Sequence, residues 1–584
     1  MMFAMFCGDP GQREAWEAHA RDHGSWLGRP AVLHCRPLGT GSLFALATFP
    51  HPAFDSPQVE VSERGFRFNP GPEGFDEDAP LDPADLHPRC TLRFDTGTLR
   101  ATVFPTSPSQ LFYGRDGRGR VVGNDMRILL RWLGLEVDPL AVFGLLQYGA
   151  IPGSRTLSTR LQRLPGGRSL RWEGDAREPE IRGWFHAEDP DREHPDPETA
   201  VAAALDGVLA KVPEGSVLLF SGGVDSGLLA VRLLELGRKD IQLVNYDFGD
   251  GDIEARHALR VAEALDWECH QVRYEPAGVA ERLHELARDY PFPFSDFSCL
   301  TTNLLVRAAA KGLPPGTAII DGTGADGAFG FGPRHRAMQR VYAVPHPLRA
   351  ALAGLYGGLR LWKLDSESRL ETVTRLARRS VQTTLERSLL AQNPLDGIAF
   401  RLGRAGRQAL EAAVAEDFES LSEGTCSLTR LSYLDLAMVC AGQFAAKTDE
   451  PIRRAGLCPV FPYLEPAMVR QSEAIAWNQK CADGESKGLL KRLLLRRIPR
   501  ELIYRPKHGF SPPLRAMLLE RPMQRFVRES LSARGNPFLA YVDERTLHAM
   551  LERAEAGRPV AHGVYSFLWA VTSVSAWTRQ AGLF

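Results

Sequence analysis

Two patterns of hydrophobic and polar positions divide the chain. Short apolar runs such as ATVFP (101–105) and SLRW (169–172), separated by Gly, Asp and Arg turns, predict a mostly β region that contains some helix. Residues 186–199, HAEDPDREHPDPET, combine prolines and acidic residues with almost no apolar side chain, which is typical of an exposed linker. We therefore predict one domain over residues 1–190 and a second over residues 200–584.

Beyond the linker, strand-like runs alternate with helical ones. The first unit reads VLLF, SGGVDS and GLLAVRLLEL between Val217 and Leu236, which is an apolar strand, a glycine turn and an amphipathic helix. Such alternation predicts a parallel, doubly wound sheet and hence an α/β fold. From about residue 335 to the end, the Leu/Ala/Arg-rich sequence has mainly helical spacing. Further strand candidates are 241–248, 268–274 and 317–321, with helical stretches at 253–265 and 299–310.

Composition and charge exclude several classes of protein. Hydrophobic residues make up 44% and charged residues 24% of the 584 residues, which is ordinary for a globular chain. With 70 basic against 71 acidic residues, no overall field attracts nucleic acid or an anionic membrane, and we expect neither as a partner. The nine cysteines are scattered without a CxxC pair, and no signal-peptide core or membrane-length apolar stretch occurs. These features predict a cytoplasmic protein.

The segment SGGVDS has the properties of a phosphate-binding loop. A strand that ends at Gly222 and Gly223 and continues into a helix leaves backbone N–H groups unpaired, and the glycines let an anion approach closely. Ser221 and Ser226 add hydroxyl donors, and Asp225 supplies a hard oxygen ligand suited to Mg²⁺. The P-loop pattern of ATPases and GTPases is absent. The alternative is a turn that needs glycine for its geometry alone.

A second loop repeats this arrangement about 100 positions later. Residues 317–331, TAIIDGTGADGAFGF, again place a glycine-rich turn and an acidic residue after an apolar strand. Both turns lie at carboxyl ends of predicted parallel strands, which is where open α/β sheets bind ligands. Asp225 and Asp326 can therefore face the same pyrophosphate.

SGGVDS resembles the pyrophosphate-binding motif of the N-type ATP pyrophosphatases, a group that includes asparagine synthetases, β-lactam synthetases and lasso peptide cyclases. Residues 317–331 resemble the SGEGSDEVFGG segment of asparagine synthetases. The resemblance implies an enzyme that cleaves ATP between its α and β phosphates, with ATP and Mg²⁺ as cofactors and Asp225 and Asp326 as metal ligands. The nucleotide-binding positions it implies are Phe220, Ser221, Gly222, Gly223, Asp225, Ser226, Phe248, Asp321, Gly322 and Gly324.

The sequence departs from these families at the residue that deprotonates the attacking amine. Thr323 stands where asparagine synthetases have a glutamate and β-lactam synthetases have a tyrosine, and threonine cannot serve as that base unaided. The nearest candidate carboxylate by family position is Asp449, in KTDEPIRRAGLCPVFPYLEP, which resembles the family segment KADRMSMAHSLEARVPFLD. Its alternative is a surface Asp in a helical hairpin.

Lys507 is the candidate for stabilising charge on the α-phosphate. It lies in YRPKHGFSPPL (504–514), where prolines and Gly509 define a turn after a predicted helix at 486–497. A positioned ammonium stabilises developing negative charge without a proton transfer. The segment resembles the lysine loop of the asparagine synthetase family, which implies a catalytic role for Lys507.

Residues 111–172 resemble the later half of the amidotransferase domain of asparagine synthetases, an Ntn-type α+β domain. In that family the α-amine of an amino-terminal cysteine is the base for glutamine hydrolysis. Cys7 is the nearby cysteine here and lies inside the sequence. We therefore expect a degenerate amidotransferase-like domain that acts as a scaffold or binding domain.

Our preferred interpretation is a lasso peptide cyclase, or macrolactam synthetase. It would adenylate an Asp or Glu side chain of a precursor peptide and join it to the peptide's own amino terminus. The leader peptidase and leader-recognition protein of the same pathway are possible partners. The alternatives are a small-molecule ligase, either an asparagine synthetase or a β-lactam synthetase, and a noncatalytic nucleotide-binding regulator. Retention of Asp225, Asp326 and Lys507 argues against the regulator.

Overall fold

The computed structural model places most of the chain in two regions of different sheet type. The residues it describes are 2–37, 42–49, 59–61, 65–68, 90–95, 97–148, 151, 153–174, 176–185, 187–249, 252–274, 282–364, 368–382, 408–409, 412, 426–505, 514–532, 536–541 and 543–584.

The first region contains two antiparallel six-stranded sheets that pack face to face. Their strand orders are β10-β8-β9-β1-β3-β2 and β12-β11-β7-β6-β5-β4. Side chains alternate between the faces, as period-two strands require, and the rings of Phe44 and Phe94 stack across the sandwich at 4.3 Å. The strands are β1 Met2–Gly8, β2 Val32–Pro37, β3 Leu43–Phe49, β4 Val59–Val61, β5 Gly65–Phe68, β6 Cys90–Asp95, β7 Thr98–Val103, β8 Leu111–Asp116, β9 Gly119–Gly123, β10 Leu161–Leu164, β11 Arg168–Trp172 and β12 Glu180–Gly183.

This region confirms the predicted mostly β character, including strands at 101–105 and 169–172. Helices cover the outer face of the first sheet, where Phe6 and Trp16 stack with ring centroids 5.6 Å apart. The likeness to an amidotransferase domain and the boundaries 1–190 and 200–584 stay predictions.

The second region contains a five-stranded parallel sheet, as the alternating pattern predicts. Its order is β15-β14-β13-β16-β17, so the direction of strand addition reverses at β13. Leu218 of β13 pairs with both Leu243 and Ile320, which brings the carboxyl ends of β13 and β16 side by side. That is the switch point at which such sheets bind ligands. The strands are β13 Val217–Leu219, β14 Gln242–Asp247, β15 Cys269–Arg273, β16 Ala318–Ile320 and β17 Cys458–Val460.

Helices surround the parallel sheet and form most of the remaining described chain. Trp569 and Trp577 of the last helix are fully buried in a core that also contains residues of the first region. The helices are α1 Arg13–Leu27, α2 Met126–Leu133, α3 Pro139–Tyr148, α4 Pro197–Leu209, α5 Val224–Glu235, α6 Ile253–Ala264, α7 Leu286–Asp289, α8 Cys299–Ala309, α9 Ala325–Phe329, α10 Phe331–Ala343, α11 His346–Gly358, α12 Arg369–Gln382, α13 Ser427–Leu434, α14 Ala446–Arg454, α15 Pro466–Glu473, α16 Trp477–Lys480, α17 Gly488–Leu494, α18 Arg500–Ile503, α19 Leu514–Leu519, α20 Arg521–Leu531, α21 Glu544–Glu555 and α22 His562–Gln580.

Two features modify the mainly helical pattern predicted after residue 335. Strand β17 extends the parallel sheet by pairing with β16, so a strand of three residues lies within the helical part. Residues Asp435–Ala445 form a π-helix between α13 and α14. Within the described ranges, no helix combines the length and apolar character that crossing a membrane requires.

Candidate nucleotide-binding site

The first glycine loop connects β13 to α5 and is held in one shape by close packing. Gly222 has a φ of 66°, and a Cβ there would lie 2.8 Å from the Cα of Ala258, so only glycine fits. The Ser221 amide donates to the Ser226 hydroxyl at 3.1 Å, and Gly223 caps the amino end of α5. The loop therefore presents a helix amino terminus to the carboxyl edge of the sheet, as an anion site requires.

The second glycine loop connects β16 to α9 and contacts the first. Gly324 has a φ of 115°, and a Cβ there would lie 2.7 Å from the Leu464 side chain. A Cβ on Gly322 would lie 3.3 Å from that of Asp225. The Thr323 amide and hydroxyl both donate to the Asp321 carboxylate at 2.8 Å. The Thr323 hydroxyl is thus a hydrogen-bond donor to a carboxylate and not a free base.

Lys487 joins the two acidic residues of these loops. Its Nζ lies 2.6 and 2.7 Å from the carboxylate oxygens of Asp225, and 2.7 Å from Oδ1 of Asp326. Burial opposes the charge of the Lys487 ammonium, but the two carboxylates outweigh it and raise the pKa of Lys487 above its ordinary value. The structure thus brings both predicted metal ligands to one point.

The donor set at this point suits Mg²⁺. Two carboxylates, from Asp225 and Asp326, already converge on a single positive charge beside a phosphate-type loop. Among the described residues, no group of three or more His, Cys, Asp or Glu side chains forms a metal site. Mg²⁺ commonly takes one or two protein carboxylates and completes its shell with phosphate oxygens and water, so two carboxylates are sufficient.

Lys487 is a residue of this candidate site that the sequence did not single out. It precedes α17 in the stretch SKGLLKRLLLRR, whose spacing indicates a helix and not a site. Its φ of 57° is uncommon for a residue with a side chain, and it sets the lysine at the end of a turn instead of on the helix surface. The adjacent Gly488, where a Cβ would lie 2.2 Å from a backbone oxygen, was the available signal of tight packing.

Other predicted site residues occupy the surroundings of the loops. Phe220 is buried at the end of β13, where its carbonyl accepts from Asn245 at 2.7 Å. Phe248 follows β14, and its ring lies 5.0 Å from that of Tyr246. Lys507 lies outside the described residues, so its role stays a prediction; nearby Arg505 pairs with Glu254.

Asp449 is buried and engaged in an ion pair. Its carboxylate accepts from the Arg453 guanidinium at 2.6 and 3.1 Å. Burial raises the pKa of the neighbouring Glu450 to about 7, with the Asp449 charge contributing. A paired carboxylate is a weak base, so the role predicted for Asp449 requires Arg453 to release it. It stays a prediction.

The buried carboxyl group of Asp435 packs against α9. Asp435, the first residue of the π-helix, accepts from the Cys440 thiol at 3.2 Å, and burial raises the pKa of Asp435 to about 6. A Cβ on Gly327 of α9 would lie 3.0 Å from the Asp435 carboxyl oxygen. The Ser432 hydroxyl donates to the Gly327 carbonyl at 2.8 Å. These contacts fix the short helix that carries Asp326.

Cys7 occupies the interior of a strand. It lies on β1, opposite Phe44 of β3 and Arg120 of β9, and its side chain is buried. The Arg120 guanidinium is 3.4 Å from the sulfur. Cleavage before Cys7 would remove most of a buried central strand.

Known proteins resemble the part of the chain that contains this site. The family described as asparagine synthase matches residues 198–579, which include both loops and Lys487. Proteins of Mycobacterium bovis and Mycobacterium tuberculosis, each named "Putative asparagine synthetase" of the glutamine-hydrolyzing type, are 24% identical over 441 residues. The aligned part covers 71% of this chain and 65% of each relative, so it spans slightly less than two thirds of their length.

Proposed function

Because the chain belongs to the asparagine synthase family, a family of ligases that use ATP and Mg²⁺, we propose that it is an ATP-dependent, amide-forming lasso peptide cyclase. It adenylates an Asp or Glu side chain of a precursor peptide and forms a macrolactam with the peptide's amino terminus, releasing AMP and pyrophosphate. The convergence of Asp225 and Asp326 on Lys487 beside the glycine loop carries the adenylation part of the proposal.

In the first step, a carboxylate oxygen of the peptide attacks the α-phosphorus of ATP, and the bond to the bridging oxygen of pyrophosphate breaks. The backbone N–H groups at the start of α5 bind the departing phosphates. Lys487 provides a fixed positive charge where negative charge accumulates. When bound, Mg²⁺ neutralises phosphate charge, and Asp225 and Asp326 are the residues that would hold it.

In the second step, the amine attacks the acyl carbon, AMP leaves with the bonding electrons, and the nitrogen loses a proton. Thr323 is a poor acceptor for that proton, since an aliphatic hydroxyl is a very weak base. A tethered amine needs less help, because effective molarities of well-oriented intramolecular reactions reach about 10⁵–10⁸ M. The buried position of Cys7 supports the same conclusion, because it favours an amine that does not come from glutamine.

A small-molecule amide ligase is the second candidate. The names of the mycobacterial relatives favour it, since both are those of asparagine synthetases. In that case free aspartate, or a β-amino acid for a β-lactam synthetase, replaces the peptide. The adenylation chemistry at Asp225, Asp326 and Lys487 is common to both candidates.

Mass spectrometry separates the candidates. The full chain is incubated with Mg²⁺, ATP and a precursor peptide, with and without the pathway's leader peptidase and leader-recognition protein. We expect a product lighter by one water, with AMP formed in equal amount. Asp225→Asn should abolish both, whereas Asp266→Asn, at an exposed surface pair with Lys239, should abolish neither. Asparagine formation from aspartate, without any cyclised peptide, would replace the cyclase with the second candidate.

A further inference from the structure

His257 of α6 lies against the first glycine loop. Its side chain is buried, and its Nε2 atom is 3.1 Å from the carbonyl oxygen of Gly222. A carbonyl oxygen only accepts hydrogen bonds, so Nε2 carries the hydrogen and donates it. A Cβ on Gly222 would lie 3.4 Å from the His257 ring, so the loop and the ring are in close contact. His257 therefore satisfies a backbone oxygen of a buried loop residue.

This hydrogen bond fixes the direction of the peptide group between Gly222 and Gly223. In a planar trans peptide, the carbonyl and the following N–H point in opposite directions. Because the Gly222 carbonyl points to α6, the Gly223 N–H points away from α6. There it lies 3.3 Å from the hydroxyl oxygen of Ser221, which is exposed. The N–H group is thus on the side from which an anion can approach the loop.

The same peptide group can rotate without moving the rest of the loop, because both of its residues are glycine. Rotation by about half a turn carries φ of Gly223 from −72° to positive values, which glycine accepts without strain. The rotated peptide would present a carbonyl oxygen to the phosphates and repel them. Two adjacent glycines therefore admit phosphate closely, but they also require an anchor that keeps the N–H group outward.

Helix α6 is a suitable anchor because it is attached at several points to the carboxyl edge of the sheet. Asp252 caps the helix and accepts from the Phe248 amide at 3.0 Å. Glu254, one turn before His257, accepts from the Arg505 guanidinium at 2.8 Å, and Arg505 belongs to the predicted lysine loop. The buried face of the helix packs in the core of the parallel sheet. The donor on α6 therefore has a fixed position relative to the phosphate loop.

We propose that His257 is a positioning residue for the phosphates of ATP, because it holds the Gly222–Gly223 peptide with its N–H group toward them. It acts through the loop and not by contact with the reacting atoms. The inference rests on the nucleotide site of the proposed function, and it is independent of which amine the enzyme joins. A histidine with a purely structural role would support the fold without favouring ligands that carry the β and γ phosphates.

Calorimetric titration of the full chain with Mg²⁺ and pyrophosphate, ATP or AMP tests the proposal. His257→Met removes the donor, whereas His257→Gln, of similar size, keeps an amide N–H near the position of Nε2. We expect His257→Met to bind pyrophosphate and ATP at least about tenfold more weakly, because a buried carbonyl without a partner favours the rotated peptide. Its affinity for AMP, which lacks the β and γ phosphates, should stay within about twofold of wild type. His257→Gln should recover most of the lost affinity.

His270→Met, at an exposed position on β15, is the matched control and should bind all three ligands like wild type. Circular dichroism establishes that each variant is folded. His257→Asn, whose amide is too short to reach Gly222, replaces His257→Met if that variant does not fold. Equal pyrophosphate affinity of wild type and the folded variant overturns the proposal, and so does equal weakening for pyrophosphate and AMP, which would indicate structural support only. If wild type binds neither ATP nor pyrophosphate, the nucleotide site itself is wrong and the proposed function fails with it.

Discussion

Removal of the Lys487 ammonium should leave two carboxylates facing each other without the positive charge that now lies between them. Asp225 Oδ1 and Asp326 Oδ1 lie 2.6 and 2.7 Å from the same Nζ, so these two oxygens are at most about 5.3 Å apart. At an effective dielectric constant of about 20, that separation corresponds to roughly 3 kcal/mol of repulsion. The Asp326 side chain is 60% exposed, so water screens part of the repulsion, and we expect Lys487→Met to lose about 2 kcal/mol of stability.

Urea denaturation with and without Mg²⁺ measures this effect. The transition midpoint of Lys487→Met should fall in the absence of metal and recover when Mg²⁺ supplies the missing positive charge. Wild type should respond much less, because its ammonium already lies between the two carboxylates and balances one of their two negative charges. Calorimetric titration with Mg²⁺ and ATP should show weaker nucleotide binding by the variant.

Lys491→Met, on α17 just after Lys487, is the matched control. Lys491 pairs at 2.7 Å with Glu485, which is half exposed, so its loss should cost less than about 1 kcal/mol. If Lys487→Met unfolds with the midpoint of Lys491→Met, shows no added response to Mg²⁺ and binds nucleotide normally, then Lys487 does not compensate the two aspartates. The assignment of the site would then have to be abandoned.

Three further predictions concern the support of the site and the first region. Because the pKa of Asp435 is raised in the folded protein, ionisation of this carboxyl group destabilises the folded state as pH rises from 3.8 to about 6. Asp435→Asn should therefore gain about 3 kcal/mol of stability at about pH 8 and little near pH 4, measured by urea denaturation without metal. An equal gain at both pH values contradicts this. Gly324→Ala should lower the denaturation midpoint more than Gly312→Ala does, because both glycines have positive φ but, of the two, only Gly324 has other atoms within 4 Å of an added Cβ. Equal losses would mean that the Leu464 side chain moves aside without cost. Wild type should release no ammonia from glutamine, and Cys7→Ala should behave identically; release that disappears in the variant would restore a glutaminase role.

The parallel sheet and its two loops were predictable because their signals are local. An apolar run, a glycine turn and an amphipathic helix occupy adjacent positions at β13 and α5, and the same pattern recurs at β16. The short strand β17 lacked such a signal: Cys458, Pro459 and Val460 lie among helices, and backbone pairing with β16 defines the strand. Tertiary context thus decided what local preference left open.

The candidate site was predictable in its acidic half and not in its basic half. Asp225 and Asp326 follow strands, so topology alone brings them together. Lys487 is 262 positions away from Asp225, and apart from the adjacent Gly488 nothing in SKGLLKRLLLRR distinguishes it from surface lysines nearby. That Thr323 is a poor base stays a prediction, and its hydrogen bond to Asp321 required coordinates.

The tethered ammonium of Lys487 also has a consequence for the order in which ligands arrive. A free divalent ion must compete with a cation that is covalently fixed at the carboxylates and therefore never diffuses away. A metal ion already chelated by a nucleotide meets less opposition, because the incoming phosphates offer the displaced ammonium new anionic partners. Without nucleotide, the protein should consequently not bind free Mg²⁺ at concentrations at which it binds the Mg²⁺–ATP complex. The occupancy of this metal site then depends on the concentration of ATP and not on that of free Mg²⁺.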